Sequence, residues 1–499
     1  MANSLKKLAG QTAIYGLSSI IGRFLNYLLV PLYTYKITAA SGGYGVVTNI
    51  YAYTAFLLVL LTFGMETTFF YFANREDTDS NKVFSTAASA VGAVAILFWG
   101  CCMIFNVPIA TALGYAEHPE YIKIMATVVA LDAFQAILFA LLRFKDKAIK
   151  FVTLKLAFIF CNIGLNLFIF LLAPSLSVHF PTLMSWYNPD YQVGYIFIVN
   201  LVCTAGVTFG FIPELRLMKF HVDGKLLKQM LRYTWPLLLF GIIGILNQVA
   251  DKICYRFIVP GQEGEVQLGI YGACVKIAMI IAIFTQAFRY AYEPFVFGGQ
   301  RDKNSPEMQA KVMKYFVMST LLAFLLVVMY IDILKYIISE SYWEGLKVVP
   351  IVMMAEIFMG IYFNLSFWYK LNKQTWWGAI FSAIGCAALL AINFIFVPRY
   401  GYMACAWGGF AGYGICMLLS YIVGQVKAPV PYNLKPILGY FALAVSLYFV
   451  SVWLCPAHIA WRLVLNTGLV LVYVVVMLYF ERELVQQVVS GLKRKFLKK

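Results

Sequence analysis

Long apolar segments recur along the whole chain and are separated by short polar connections. A helix that spans a bilayer needs about 20 mostly apolar residues. Segments of this kind lie near residues 12–33, 46–72, 83–107, 121–142, 151–172, 193–213, 233–258, 268–292, 312–331, 348–369, 376–397, 402–424, 436–455 and 461–480. The pattern predicts an all-α polytopic membrane protein with about 14 transmembrane helices.

Composition agrees with this prediction and excludes a soluble domain. Hydrophobic residues make up 62% of the 499 residues and charged residues 12%, and the mean hydropathy is +0.78. The net charge of +16 therefore has to be assigned loop by loop rather than to nucleic-acid binding. The ten cysteines are scattered through apolar segments, without a C-x-x-C motif or histidines at ligand spacing. They are expected to be small core residues, with no metal site.

The basic residues predict the orientation in the membrane. An even number of helices places both termini on one side. If that side is the cytoplasm, the cytoplasmic segments collect about 27 Lys and Arg residues against 7 outside. We therefore expect a multi-pass protein with cytoplasmic N- and C-termini.

A weak internal repeat divides the chain into two halves. An offset of about 225 residues aligns Gly16 with Gly241, Ser19 with Gly244, Arg23 with Gln248 and Asn26 with Asp251, and YGVV at Tyr44 with LGIY at Leu268. Two halves that each open on a glycine-interrupted helix with polar residues at mid-depth predict a transporter with its binding site between them.

The predicted domains are an N-terminal lobe (1–213), a linker helix (214–232), a C-terminal lobe (233–425), two further helices (426–481) and a basic tail (482–499). In the linker, Asp223 can cap a short amphipathic helix with Leu226 and Met230 on its apolar face. We expect this helix to lie along the inner leaflet.

Few ionisable residues fall at membrane depth, where charge is costly and usually faces protein or a water-filled cavity. Arg23, Lys252 and Lys276 would suit an anionic headgroup, because phosphate oxygens accept charge-assisted hydrogen bonds from such donors. Asn26 and Asp251 complete the candidate cavity set.

Asp251 and Lys252 are neighbours that point to different sides of a helix, so they are not expected simply to neutralise each other. One of them can pair with another helix, and the pair is a candidate to touch substrate or a coupling ion. The residues with a possible role in coupling or interhelical pairing are Asp132, Glu356, Glu66, Arg289 and Glu293. Arg289 and Glu293 lie near the inner face, where snorkelling or interhelical ion pairs are common.

No catalytic motif accompanies these residues. The chain has no G-x-S-x-G, H-E-x-x-H or Walker A sequence, and no large external loop that would carry catalytic groups. We expect a protein that is not an enzyme and uses no cofactor.

The ordered set of segments resembles a known family. The first half contributes GRFLNYLLVPLYTYKI, the pair Tyr44-Gly45 and FGMETTFFYFANR. The second contributes RYTWPLLL, the pair Asp251-Lys252, LGIYGACVKIA, RYAYEPFVF, VVPIVMMAEIFMGIYFNLSFWYK and VPRYGYMACAW. Together they are similar to polysaccharide-biosynthesis flippases of the O-antigen (Wzx) type, in the multidrug/oligosaccharidyl-lipid/polysaccharide exporter superfamily.

The resemblance implies two six-helix lobes in a V around a central cavity, with two extra C-terminal helices. It implies movement of undecaprenyl-diphosphate-linked oligosaccharide for O-antigen, capsule or exopolysaccharide across the bacterial inner membrane by alternating access. The cavity roles go to Arg23, Asp251, Lys252 and, as an addition, Lys276. A coupling ion (H⁺ or Na⁺) or the membrane potential, surrounding lipids and a glycan polymerase are the implied partners, and the expected state is a monomer.

Three alternatives remain at this point. A flippase for the peptidoglycan precursor lipid II is less favoured, because the several cavity arginines expected for it are not evident. A drug or metabolite antiporter of the same fold would need an acidic cavity. A membrane glycan polymerase or ligase is the enzymatic alternative. The glycan and the coupling ion are not determined by the sequence.

Overall fold

The computed structural model describes residues 25, 27–76, 78–216, 218, 223–297 and 306–481, with the backbone alone for 291 and 293–297. Within these ranges, 13 helices are long and apolar enough to cross a membrane. The main helices are α1 (Leu29–Lys36), α2 (Gly43–Thr62), α3 (Met65–Ala73), α4 (Ser80–Ile104), α5 (Pro119–Phe144), α6 (Ala148–Leu167), α7 (Gln192–Phe209), α8 (Gly224–Ile258), α9 (Gln262–Phe297), α10 (Pro306–Met329), α11 (Val349–Leu365), α12 (Trp376–Tyr400), α13 (Tyr402–Lys427), α14 (Leu434–Leu454) and α15 (Ile459–Phe480).

In chain order, the helices comprise a first half, a second half and a C-terminal pair. In the first half, which comprises α1 to α7, α5 packs against α4 and α7, and α7 also packs against α6. In the second half, which comprises α8 to α13, α13 packs against α12 and α11, and α11 packs against α9. The last two helices, α14 and α15, pack against α10.

The predicted all-α polytopic fold class is confirmed, and the chain is a multi-pass membrane protein. Every predicted span after the first overlaps a long helix. Most of the first predicted span, 12–33, lies outside the described residues, which show it only at residues 25 and 27 and at the start of α1. The division into lobes and tail stays a prediction.

The expected separate linker helix is wrong, because residues 224–232 form the first turns of the continuous helix α8. Leu226 and Met230 on its apolar face are buried in the core of the first half, together with Phe84 of α4, whereas Leu231 is 43% exposed. Asp223 caps α8 as expected, since its carboxylate accepts hydrogen bonds from the amides of Lys225 and Leu226. The second half is therefore anchored to the first at this end.

Charged contacts reinforce this anchor. Lys82 Nζ lies 2.8 Å from Asp223 Oδ2. The hydrogen bond from Lys82 and those from the backbone amides of Leu226 and Lys225 lower the pKa of Asp223 to about 2. Nearby, the Glu214 side chain is only 1% exposed and accepts hydrogen bonds from Lys150 and, at 3.2 Å, from Lys147. These bonds hold the first half together where α5 and α7 end and α6 begins.

The Glu214 network makes a pH-dependent contribution to stability. Burial raises the pKa of Glu214, but the hydrogen bonds from Lys150 and Lys147 outweigh it, so the pKa lies below the ordinary 4.5. A carboxyl group with a lowered folded-state pKa stabilises the fold above its unfolded pKa, and this contribution is lost as the pH falls through the folded value.

We therefore predict that Glu214→Gln lowers the free energy of unfolding by about 1–3 kcal/mol at neutral pH. The deficit relative to wild type should shrink as the pH falls below about 4.5. Thermal unfolding in detergent across pH measures both effects. Glu340→Gln, at an exposed position, is the control and should change neither. A deficit for Glu214→Gln that is constant with pH would contradict this account.

Candidate functional site

The two halves meet where α2 and α9 begin, and glycines allow their backbones to touch. A methyl group built on Gly45 would overlap the carbonyl oxygen of Glu265 and come within 3.0 Å of the amide nitrogen of Gly269. A methyl group on Gly269 would lie 2.9 Å from the amide nitrogen of Gly45. Larger residues at these positions would force the helices apart. We call this crossing and the contacts around it the sealed end.

Arg256, near the C-terminus of α8, links the two halves at the sealed end. Its side chain is only 9% exposed and pairs with Glu265 at 2.6 Å. It also donates to the carbonyl oxygen of Gly114 at 2.7 Å and lies 4.0 Å from the ring centre of Tyr115, both in the first half. Arg256 of the second half thus contacts the segment of the first half that connects α4 with α5.

Further hydrogen bonds join the halves around this cation. The Tyr342 hydroxyl donates to the carbonyl oxygen of Ile37 at 2.6 Å, and the Gln262 amide donates to that of Ala40 at 3.3 Å. The Asn49 amide accepts from the Tyr115 hydroxyl at 2.7 Å and donates to the carbonyl oxygen of Lys252 at 2.7 Å. Asn49 therefore connects the Arg256 contacts to the charged pair in α8.

A cavity of about 680 Å³ lies next to the sealed end, between the halves. Repeat-related positions of α2 and α9 line it in matched pairs: Thr48 with Gly272, Tyr51 with Val275, Ala52 with Lys276 and Ala55 with Met279. The offset is about 224 residues, in agreement with the internal repeat seen in the sequence. Equivalent positions of the two repeats thus line the cavity from both halves.

All charged residues among the described lining residues belong to the second half: Lys252 of α8, Lys276 and Arg289 of α9, and Glu356 of α11. The described lining residues of the first half are either apolar or polar without a charge. The sequence-predicted Lys252 and Lys276 are thus brought to one wall, together with Glu356.

Asp251 and Lys252 pair with each other, so the expectation that they would not neutralise each other is wrong. Lys252 Nζ lies 3.0 and 2.8 Å from the two carboxylate oxygens of Asp251 and 3.2 Å from the carbonyl oxygen of Gln248. The long, flexible lysine stem curls back toward the helix N-terminus, which lets adjacent residues meet.

The two members of this pair have different surroundings. Asp251 is only 6% exposed and also accepts a hydrogen bond from the Tyr271 hydroxyl at 2.7 Å. Lys252 lines the cavity, whereas Asp251 lies behind it. The carboxylate therefore orients the lysine and offsets part of its charge.

Lys276 and Glu356 have no hydrogen-bond or ion-pair partner among the described residues. Both are partly buried and line the cavity. An ammonium and a carboxyl group that face a polar cavity without a protein partner are available to ligand, water or ions.

The other predicted residues are dispersed. In the first half, Asp132 accepts a hydrogen bond from Thr204 at 3.4 Å, and Glu66 pairs with Arg143. Arg289 lines the cavity and lies 4.6 Å from the ring centre of Phe363. Glu293 belongs to α9, but its side chain is outside the description. Arg23 and Asn26 lie outside the described residues.

Sequence reasoning missed two features. Arg256 and Glu265 were given no role, and the polar groups of the first-half wall were not identified. The repeat offset carried a further signal: 224 residues separate Asp132 of α5 from Glu356 of α11, so each half holds a carboxyl group at the equivalent position.

Comparison with solved structures identifies the fold. The structure "Lipid II flippase MurJ, inward closed conformation" superposes with a TM-score of 0.71 at 14% identity and covers 94% of this chain and 99% of that chain. An inward-facing multidrug resistance MATE family transporter of the MOP superfamily gives 0.62 at 12% identity, covering 81% and 94%. The MATE multidrug transporter DinF-BH gives 0.59 at 14% identity, covering 84% and 96%.

At these identities, the likeness defines the fold alone: a polytopic fold shared by flippases and multidrug transporters. No protein-family model matches the sequence, and no curated protein matches it either.

The Asp251–Lys252 pair can be tested by a double-mutant cycle. We predict that Lys252→Gln destabilises the protein by about 3 kcal/mol or more, because it leaves the buried carboxylate unpaired. Asp251→Asn should cost less, because the lysine can turn to the cavity. The double variant should lose less than the two single variants combined, by about 1–3 kcal/mol.

Chemical unfolding in detergent provides these values. The exposed Lys347–Glu344 pair is the control, whose Lys347→Gln and Glu344→Gln effects should be small and additive. If the effects of the substitutions at residues 251 and 252 are additive, the ion pair contributes nothing to the free energy of unfolding.

Proposed function

We propose that the protein is a flippase that moves an undecaprenyl-diphosphate-linked oligosaccharide across the bacterial inner membrane by alternating access. The observation that carries the proposal is the cavity between two repeat-related halves, with Lys252 and Lys276 on one wall and a seal at one end. A glycan and a charged diphosphate cannot cross hydrocarbon unaided, whereas a polyprenyl tail can remain in lipid.

Electrostatics favour an anionic headgroup in this cavity. Two opposite unit charges about 4 Å apart attract each other by about 4 kcal/mol at an effective dielectric near 20. Lys276 is not neutralised by any described residue, and Asp251 leaves Lys252 accessible from the cavity. With Arg23 added from the first predicted helix, these cations would hold the diphosphate. An antiporter for hydrophobic cations would instead require an excess of acidic lining groups.

The orientation follows from the basic residues. With both termini in the cytoplasm, the sealed end faces outward and the cavity belongs to an inward-facing state. Glu356 and its repeat counterpart Asp132 are the proposed sites for a coupling proton or Na⁺, with the membrane potential as a further source of energy. A monomer suffices for this cycle, and a glycan polymerase would use the delivered product.

Lipid II is the second candidate cargo, because the MurJ fold covers nearly the whole chain. It carries the same polyprenyl diphosphate, so the cationic wall alone does not separate the two cargoes. Identification of the precursor that accumulates in a deletion strain does. A polymerase or ligase would instead leave short glycans outside.

We predict that Arg23→Ala or Lys252→Ala lowers surface polysaccharide about tenfold or more in a complemented deletion strain, because a charge-assisted contact to phosphate is lost. The lipid-linked oligosaccharide should accumulate intact inside. Surface glycan and extracted precursor are measured together at matched expression.

The controls separate transport from folding. The combined variant Asp251→Asn with Lys252→Ala avoids an unpaired buried carboxylate and should show the same defect. The exposed Lys347→Ala should export normally. Full export by both Arg23→Ala and Lys252→Ala would show that these cations are not on the route.

Alternating access predicts that the sealed end must open. Ala40 and Gln262 belong to opposite halves and are already in contact. We predict that oxidation of the double variant Ala40→Cys with Gln262→Cys to a disulfide abolishes translocation. Reduction should restore it. Translocation is assayed in proteoliposomes by access of an external enzyme to the glycan.

The matched control pairs Tyr330→Cys with Thr467→Cys, whose side chains are in contact outside the interface between the halves. Its oxidation should not affect transport, nor should oxidation of either single cysteine at residues 40 and 262. Undiminished transport by the cross-linked 40–262 variant would refute alternating access through this interface.

A further inference from the structure

The two walls of the cavity differ in chemistry at positions that the repeat makes equivalent. On α9, the lining carries Val275 and Lys276, and the equivalent positions on α2 carry Tyr51 and Ala52. A hydroxyl group thus occupies one wall and an ammonium group the other. A headgroup in the cavity would meet two different chemical environments.

The first-half wall has a fixed polar centre. The Tyr51 hydroxyl accepts a hydrogen bond from Asn200 Nδ2 at 2.8 Å. The Tyr51 ring packs edge-on against Phe197, with ring centres 6.1 Å apart. Both Tyr51 and Asn200 line the cavity and are partly exposed to it. Asn200 Oδ1 also accepts a hydrogen bond from the Thr204 hydroxyl at 3.4 Å. The hydroxyl proton of Tyr51, the second amide hydrogen of Asn200 and the second lone pair of its Oδ1 therefore stay available to a ligand.

Three more polar side chains extend this centre. Tyr33 and Tyr44 line the cavity, and their hydroxyls have no hydrogen-bond partner among the described residues. Their rings are held edge-on by Phe170 and Tyr342. Asn162 accepts a hydrogen bond from Asn166 at 3.2 Å, which orients its amide. The tyrosine wall is formed by Tyr33, Tyr44, Tyr51, Asn162 and Asn200.

Neutral donors, neutral acceptors and aromatic rings are the groups that suit a sugar. Hydroxyl and amide groups of a sugar pair with tyrosine hydroxyls and asparagine amides, and its C–H faces pack against aromatic rings. The tyrosine wall offers no charged partner for a uronic acid or an amino sugar. A charged sugar buried there would be desolvated without compensation.

We infer that the tyrosine wall is a binding subsite for an uncharged sugar, the one joined directly to the diphosphate. This inference rests on the proposed function, because the diphosphate at Lys252 and Lys276 places the first sugar across the cavity. The substrate then lies with its phosphates toward the second half and its first sugar toward the first half. Tyr51 and Asn200 determine specificity for that sugar.

The test compares two probes on the full-length protein in nanodiscs. One is a short-chain polyprenyl diphosphate that carries a single uncharged N-acetylhexosamine, and the other is the same polyprenyl diphosphate without sugar. Dissociation constants are measured for wild type, Tyr51→Phe, Asn200→Ala and Lys252→Ala. A third probe carries a hexuronic acid in place of the N-acetylhexosamine.

We expect Tyr51→Phe and Asn200→Ala to weaken binding of the N-acetylhexosamine probe about tenfold, and to leave binding of the sugar-free probe within about twofold. Lys252→Ala should weaken both. Wild type should bind the hexuronic acid probe less tightly than the N-acetylhexosamine probe. Tyr330→Phe, which removes a hydroxyl paired with Thr467 away from the cavity, should match wild type with all probes.

Each contrary outcome has one meaning. If Tyr51→Phe and Asn200→Ala weaken both probes equally, or neither, the subsite is overturned while the proposed function stands. A hexuronic acid probe that binds wild type as tightly as the uncharged one also overturns it. If wild type binds none of the polyprenyl diphosphates, the proposed function itself fails.

Discussion

The backbone contact between Gly45 and Gly269 is the constraint from which the arrangement of the site follows. Because neither residue has a side chain, α2 and α9 can cross closely enough for Arg256 to reach the first half and for Glu265 to pack against Gly45. The same crossing closes one end of the cavity. It also places the equivalent positions of the two helices opposite each other along the cavity.

The cost of charge within the membrane explains how the cations are held. Lys252 is partly compensated by Asp251, whose buried carboxylate is in turn stabilised by Tyr271. Lys276 has no such partner among the described residues and depends on the polar cavity. One lysine is therefore positioned by protein, whereas the ammonium group of the other is left for a ligand to pair with.

The sequence was sufficient for features that depend on local composition and failed for those that depend on side-chain paths or distant contacts. Hydropathy located the spans, and the Asp223 cap was foreseen. The pairing of Asp251 with Lys252 was not, because helical geometry separates adjacent Cβ atoms while a long stem can bend back. The contact of Tyr51 with Asn200 joins residues 149 positions apart, and no sequence period predicts it.

The repeat accounts for both the symmetry of the fold and the asymmetry of the cavity. Equivalent positions of α2 and α9 line the cavity in both halves, because the two helices cross at Gly45 and Gly269, which the repeat offset also relates. The repeat does not fix which residues occupy them, so Tyr51 and Ala52 can differ from Val275 and Lys276 without disturbing the crossing. Under the proposed function, such a scaffold would bind a substrate whose two ends differ, and the half that carries the charge would determine its orientation in the cavity.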